Sequence, residues 1–301
     1  ITHVFTSKHT LIQAVDAYLV NPAAFCYRIG LWDVSQITDF SRIFDATRHS
    51  RTYSRCRKRK SRKRRSRSRL LELFNEDLSG WDVSNGTNFS RMFYGCRSFQ
   101  GDVSAWKVSN ARNLSFMFFE CESFEGDVSS WDVSNATNLS YMFDGCIAFN
   151  SAVSSWNVSK ATKLSCMFKE CRSFNGDVSS WDVSNATDLS CMFFGCSSFK
   201  GGVSSWDVHN ATDLRGMFYG CSSFNSDVSA WDVSNVTSLV SMFYGCSSFN
   251  GDVSTWDVSN ARDLRYMFCR CSSFKGDVSS WSPSHDARLG RMFSECSRFD
   301  Q

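Results

Sequence analysis

The sequence predicts an α/β repeat protein, a stack of 25-residue units with a parallel β-sheet on one face and short helical turns on the other. Three observations carry that reading. Tryptophan recurs without a slip at Trp81, Trp106, Trp131, Trp156, Trp181, Trp206, Trp231, Trp256 and Trp281. All nine methionines, Met92 through Met292, fall eleven residues after one of these tryptophans, and phenylalanine follows each of them. Nine of the fourteen cysteines (Cys96, Cys121, Cys146, Cys171, Cys196, Cys221, Cys246, Cys271 and Cys296) stand fifteen residues after the tryptophan, and a second phenylalanine, Phe99 through Phe299, closes each unit. A fixed period of this length is the mark of stacked repeats, in which each unit buries itself only against its neighbours. A chain of 301 residues therefore needs no second core.

The unit at residues 127–150 shows the expected elements in order. Val128, Trp131 and Val133 alternate with Ser and Asp, the L-x-x-L-x-L spacing of a leucine-rich repeat strand. Ser134, Asn135 and Thr137 form a polar turn that can cap a helix. Leu139, Met142 and Phe143 follow at spacings of three and four, which reads as one or two helical turns. Gly145 can end that turn in the left-handed conformation, and Cys146 and Phe149 lead back inward. Each unit offers too few apolar groups to fold alone, so stacking must supply the core.

The repeated pattern W-D-V-S-x-A/V-T-x-L-x-x-M-F-x-G-C-x-x-F-N-x-D-V-S resembles the BspA-like leucine-rich repeat surface proteins, in the branch catalogued as a domain of unknown function. The resemblance covers residues 73–301 as nine units and residues 31–47 as a first, diverged one. It implies a right-handed, leucine-rich-repeat-like solenoid, and in microbes it implies surface display, adhesion and protein binding, with no catalytic residues. Departures are local: Lys107 and Asn157 replace the Asp after Trp, Pro283 replaces a strand Val, and Ala46-Thr47 lacks the Cys.

Residues 1–30 read as a helical cap, because Leu11, Val15, Tyr18 and Leu19 share one helical face just ahead of the first unit. Pro283, which cannot donate a ladder bond, suits an edge strand in a degenerate last unit. Residues 48–72 read as a basic, Arg/Ser-rich insertion without structure of its own. Residues 48–69 hold 13 of the 33 Lys and Arg and no acid, which leaves 20 basic against 30 acidic residues elsewhere. The net charge of +3 thus joins an acidic body to a basic graft. Such a run can bind RNA, phosphate or import factors by releasing counterions. Tyr53 is its single stacking aromatic, against the interleaving that single-strand binders use. No apolar run approaches the roughly 18 to 20 residues of a membrane helix. The chain opens at Ile1 with no secretory signal ahead of the first unit, and reads as a fragment or processed form.

For chemistry, the ladder cysteines read as buried thiols packed as small hydrophobes, since in-register side chains of neighbouring strands point in parallel. Asp82, Asp132, Asp182, Asp207, Asp232 and Asp257, with serines such as Ser134 and Ser184, read as the solvent side of the strand. They form an acidic Ser/Asp face that is the candidate binding surface, solvated rather than metal-bound. Nine N-x-S/T sequons recur because the turn needs Asn, Thr and Ser, and so say little about secretion. The five histidines form no repeated cluster, contiguous Ser284-His285-Asp286 cannot build a triad, and no Gly-rich phosphate loop occurs. The expectation is a protein without enzymatic activity or cofactor. It is a cell-surface or secreted scaffold whose acidic face binds a protein or glycan ligand; the competing expectation is an intracellular or nuclear adaptor working through the basic insertion.

Overall fold

The computed structural model describes residues 3–48 and 61–299. It is a repeat structure with 25-residue periodicity, but its units are built of tight turns. Among the described residues the α-helices are α1 (Lys8–Val20) and α2 (Ser61–Glu72), with short 3-10 turns at Pro22–Ala24 and Ile29–Leu31, and every β-bridge is a single isolated pair.

The strand expected at Val128–Val133 is absent, and two reverse turns occupy its place. Trp131 N donates to Val128 O at 3.1 Å and Ala136 N to Val133 O at 2.8 Å. The cause lies in the polar residues taken for the strand's solvent side. Asp127 and Asp132 each accept the backbone N–H of the serine two residues on, at 2.8 and 3.0 Å. An Asp that bonds its own backbone in this way bends the chain away from extended geometry.

Pairing between units falls instead on residues 137–145, the segment read as helical. Leu139, Tyr141, Phe143 and Gly145 donate to Lys163, Ser165, Met167 and Lys169 of the next unit at 2.7–3.0 Å. The alternate residues close turns within the unit, Met142 N to Leu139 O and Cys146 N to Phe143 O. Apolar residues three apart satisfy successive three-residue turns as well as a helix, so spacing alone does not separate the two. The bridges run parallel from Asp39↔Asn88 and Asn88↔Asn113 to Asp263↔Arg288, one per unit. Gly145 adopts the expected left-handed conformation, with φ +80°.

The core is a set of columns. Phe143 stacks on Phe149 at 4.0 Å within its unit and on Phe168 of the next at 5.8 Å. Trp156, Trp181 and Trp206 lie parallel at 6.3 and 6.4 Å. Trp and Cys also carry a donor, which sequence reasoning had treated as packing. Trp181 Nε1 donates to Val153 O at 2.9 Å, and Cys146 Sγ to Phe118 O at 3.0 Å, each bond reaching back 28 residues into the preceding unit. Burial pushes the thiols of Cys121, Cys146, Cys171, Cys196 and Cys246 well above their usual range.

Helix α1 buries Leu11, Val15 and Tyr18, with Leu19 packed at the margin. Tyr18 and Phe25 meet the ring of Trp32, each at 5.6 Å, so this segment covers the first unit. Residues 61–72 of the insertion are helical rather than irregular; residues 49–60, with Cys56, lie outside the described residues. The interrupted unit resumes at Leu71. Ser98 N donates to Glu72 O as Ser123 N does to Arg97 O, which puts Leu71 in the place of the ladder cysteine. Phe44 stacks on Phe74 at 4.3 Å across the insertion. Asp45, fully buried, accepts from Arg42 and Arg91, both at 3.0 Å, and anchors the near side. In the last unit the turn moves one residue past Pro283, Ala287 N donating to Ser284 O, and no strand forms there.

Replacing Trp181 by Ala removes three ring neighbours and leaves the Val153 carbonyl without its donor, at an expected cost of about 3–5 kcal/mol. Hydrogen exchange should show loosening centred on the units of Trp156 to Trp206, with residues near Trp81 unchanged. Uniform loss of protection would contradict nearest-neighbour stacking. In a separate test, alkylation of the native protein should reach exposed Cys26 fast and buried Cys121 to Cys271 of the ladder slowly, as read by peptide mass. Equal rates at the two would rule out thiols sealed in the core.

Candidate interaction surface

The turns carry two strips along the stack, one exposed and one mostly half-buried. Asp82, Asp132, Asp182, Asp207, Asp232 and Asp257 are all exposed, as the sequence reading required, with Ser134 and Ser184 half-buried beside them. Yet each carboxylate is partly committed. Asp82, Asp182 and Asp232 accept from Ser84, Ser184 and Ser234 N at 3.0 Å, Asp257 from Ser259 N at 2.9 Å, and Asp207 from both N and Nδ1 of His209, the latter at 2.8 Å. Hydrogen bonds from Ser84, Ser134, His209, Ser234 and Ser259 hold Asp82, Asp132, Asp207, Asp232 and Asp257 below the usual carboxylate range. Those five therefore keep their charge well into acid, while one oxygen of each carboxylate in the strip serves the fold.

The sequon asparagines also have structural work. Asn135 and Asn210 donate through Nδ2 to Ser109 O and Ser184 O at 2.9 and 2.7 Å, linking successive units.

The second strip was missed by sequence reasoning. Ten residues after each Trp the chain takes a positive φ, and the occupants are Arg91, Phe116, Tyr141, Cys166, Cys191, Gly216, Ser241, Tyr266 and Arg291, none β-branched. Three residues further on stand Tyr94, Phe119, Asp144, Lys169, Phe194, Tyr219 and Tyr244. Their rings stack between units: Tyr94 on Phe119 at 4.4 Å, Phe116 on Tyr141 at 4.5 Å, Phe194 on Tyr219 at 4.2 Å, Tyr219 on Tyr244 at 4.5 Å. Arg91 lies 3.8 Å over Tyr94, a cation–π contact. The signal available in the sequence was variation: these positions change from unit to unit while the buried ones do not.

Between the two aromatic runs lies Asp144, buried and 3.3 Å from Lys169 Nζ. Burial raises its carboxyl to about 6 against the pull of Lys169. The basic segment proposed for nucleic acid lies largely outside the described residues. Ser284 Oγ bonds Asp286 Oδ1 at 2.5 Å as a local turn contact. Among the described residues no three His, Cys, Asp or Glu side chains gather as a metal site, and no helix is long and apolar enough to cross a membrane.

Stacked 25-residue turns with an unvarying interior and two ordered strips define a repeat protein of the non-globular, nearest-neighbour kind. The chain belongs to the family described as Mycoplasma protein of unknown function, DUF285, which matches residues 6–126, 100–202 and 187–301. No curated protein and no solved structure matches it.

Asp144 provides a pH test. A carboxyl whose folded pKa is raised from 3.8 to about 6 adds stability below about pH 4 and loses it as pH rises through 6. Relative to wild type, Asp144→Asn should therefore gain about 3 kcal/mol between pH 4 and pH 7. Parallel stability curves for the two proteins, from urea melts across that range, would place the titration elsewhere.

Proposed function

We propose that this chain is a non-enzymatic recognition scaffold, displayed at a cell surface or secreted, that binds a protein or glycan ligand along its two strips. The observation that carries the reading is the division of labour between positions. Interior residues repeat almost without change, whereas the left-handed position ten after Trp holds cationic, aromatic, thiol and small side chains in turn. A rigid stack that varies one partly open column can match an extended partner rung by rung. The Asp strip, interrupted by Lys107 and Asn157 and continuous from Asp182 to Asp257, supplies a negative field suited to steering a cationic partner. The resemblance to BspA-like surface proteins supports the same reading, and with it the finer proposal of a right-handed leucine-rich-repeat-like winding.

The test is capture of ligand from a labelled native surface extract and from a glycan array. Reversal of Asp182, Asp207 and Asp232 to Lys should leave circular dichroism and melting little changed, because Lys107 holds the same position in its own unit and the turn there still closes, Ala111 N donating to Val108 O at 2.8 Å. Capture should fall by about tenfold or more, and the salt dependence of the remainder should flatten. Tyr219→Ser with Tyr244→Ser should weaken capture independently. Capture unchanged in both variants would remove the recognition reading.

A further inference from the structure

Eleven described cysteines other than Cys166 and Cys191 are accounted for: nine ladder thiols, exposed Cys26, and buried Cys269. Cys166 and Cys191 differ from these in placement. They occupy the left-handed position of two successive units, with φ +55° and +54°. Their backbones are held alike, Cys166 N donating to Ser190 O and Cys191 N to Arg215 O, both at 2.9 Å. The single bridge Lys163↔Asp188 keeps the two units in register. Bridged backbones lie about 4.8 Å apart, inside the range of roughly 4.4 to 6.8 Å between Cα atoms that a disulfide spans, and the parallel projection that keeps the carbonyl-bonded ladder thiols apart is relieved here by rotation of the partly open Cys191 side chain.

Tyr141, Cys166 and Cys191 follow one another in this column, and Cys191 Sγ reaches Arg215 O of the next unit at 3.6 Å. Cys166 is buried, whereas Cys191 is partly open. What opens Cys191 is the next unit: Gly216 holds the same position there, and a Cβ on it would stand 3.1 Å from Cys191 Sγ. The adjoining Cys166 thiol, together with the cations Lys169 and Arg215, lowers the Cys191 thiol against the cost of its burial. No other pair of neighbouring units places cysteines at this position.

We propose that Cys191 and Cys166 are a dithiol redox site that closes to an inter-unit disulfide by exchange with a low-molecular-weight disulfide. Cys191 thiolate attacks one sulfur of the small disulfide, forming a mixed disulfide and expelling one small thiolate. Cys166 then attacks Cys191 Sγ, its proton passing to the second departing thiolate. The protein loses two hydrogens and two electrons, and one small disulfide becomes two small thiols. The buried partner resolves and the open one attacks, which is the asymmetry that exposure imposes on the pair.

Oxidised glutathione is the probe. The reduced, folded full chain is treated with it, quenched with an alkylating agent and mapped by tryptic mass spectrometry, where cleavage at Lys169 and Arg172 separates the two cysteines. The expected product is a Cys166–Cys191 link two hydrogens lighter than the dithiol, forming before any link within the core ladder. C166S should trap glutathione on Cys191, and C191S should slow modification of Cys166 by about tenfold or more. G216S places a side chain over Cys191 in a conformation Ser241 already adopts at φ +54°, and should slow the first step without unfolding the stack. A glutathione adduct that accumulates on Cys166 in C191S at the wild-type rate, or links confined to the core ladder, would overturn the assignment.

Discussion

Every unit of this protein depends on the carbonyls of its neighbours. The N–H groups of Leu139, Tyr141, Phe143 and Gly145 have their acceptors in the next unit, while Thr137 N, Trp131 Nε1 and Cys146 Sγ have theirs in the preceding one, at Arg112, Val103 and Phe118. A buried donor left without an acceptor costs on the order of 1–3 kcal/mol. Any unit that drifted out of register by one residue would strand several of these at once. Unvarying 25-residue spacing follows from that constraint, and so does the choice of Trp and Cys at positions where another apolar residue would fill the space but donate nothing.

The same constraint explains what the chain does with its 24 surplus residues between Trp32 and Trp81. An insertion is tolerable only where it leaves the columns intact. Here it leaves after Thr47 and returns at Leu71, so Phe44 still meets Phe74 as Phe93 meets Phe99, at 4.3 and 4.2 Å. Leu71 fills the volume of the missing cysteine. Asp45, bonded by Arg42, Arg91 and Thr47, fixes the exit point.

The positions outside the core columns divide by how much the backbone asks of them. Asp132 and Asn135 are exposed yet repeat, because the first bends its own backbone and the second bonds Ser109 O of the preceding unit. Position ten after Trp must only tolerate a left-handed φ, a mild demand that excludes β-branched residues and little else. Function is free to write itself there. Aromatic runs, the Asp144–Lys169 pair and the Cys166–Cys191 pair all lie on or beside that column.

The sequence by itself determined the repeat, its period and its inward set. Val128, Trp131, Val133, Leu139, Met142, Phe143, Cys146 and Phe149 are all buried, as their shared register required, and Leu11, Val15 and Tyr18 face the first unit from α1. It also placed Asp182 and its equivalents outside. Tertiary structure decided which segment of the unit pairs with its neighbour. The L-x-x-L-x-L spacing of V-S-S-W-D-V describes a strand and a pair of Asx turns equally well, and spacing of three in L-x-x-M describes a helix and a chain of turns. Only the acceptors supplied by adjoining units, at Lys163, Ser165 and Met167 for this one, resolve the ambiguity, because a backbone donor goes where a carbonyl stands and sequence spacing does not record it.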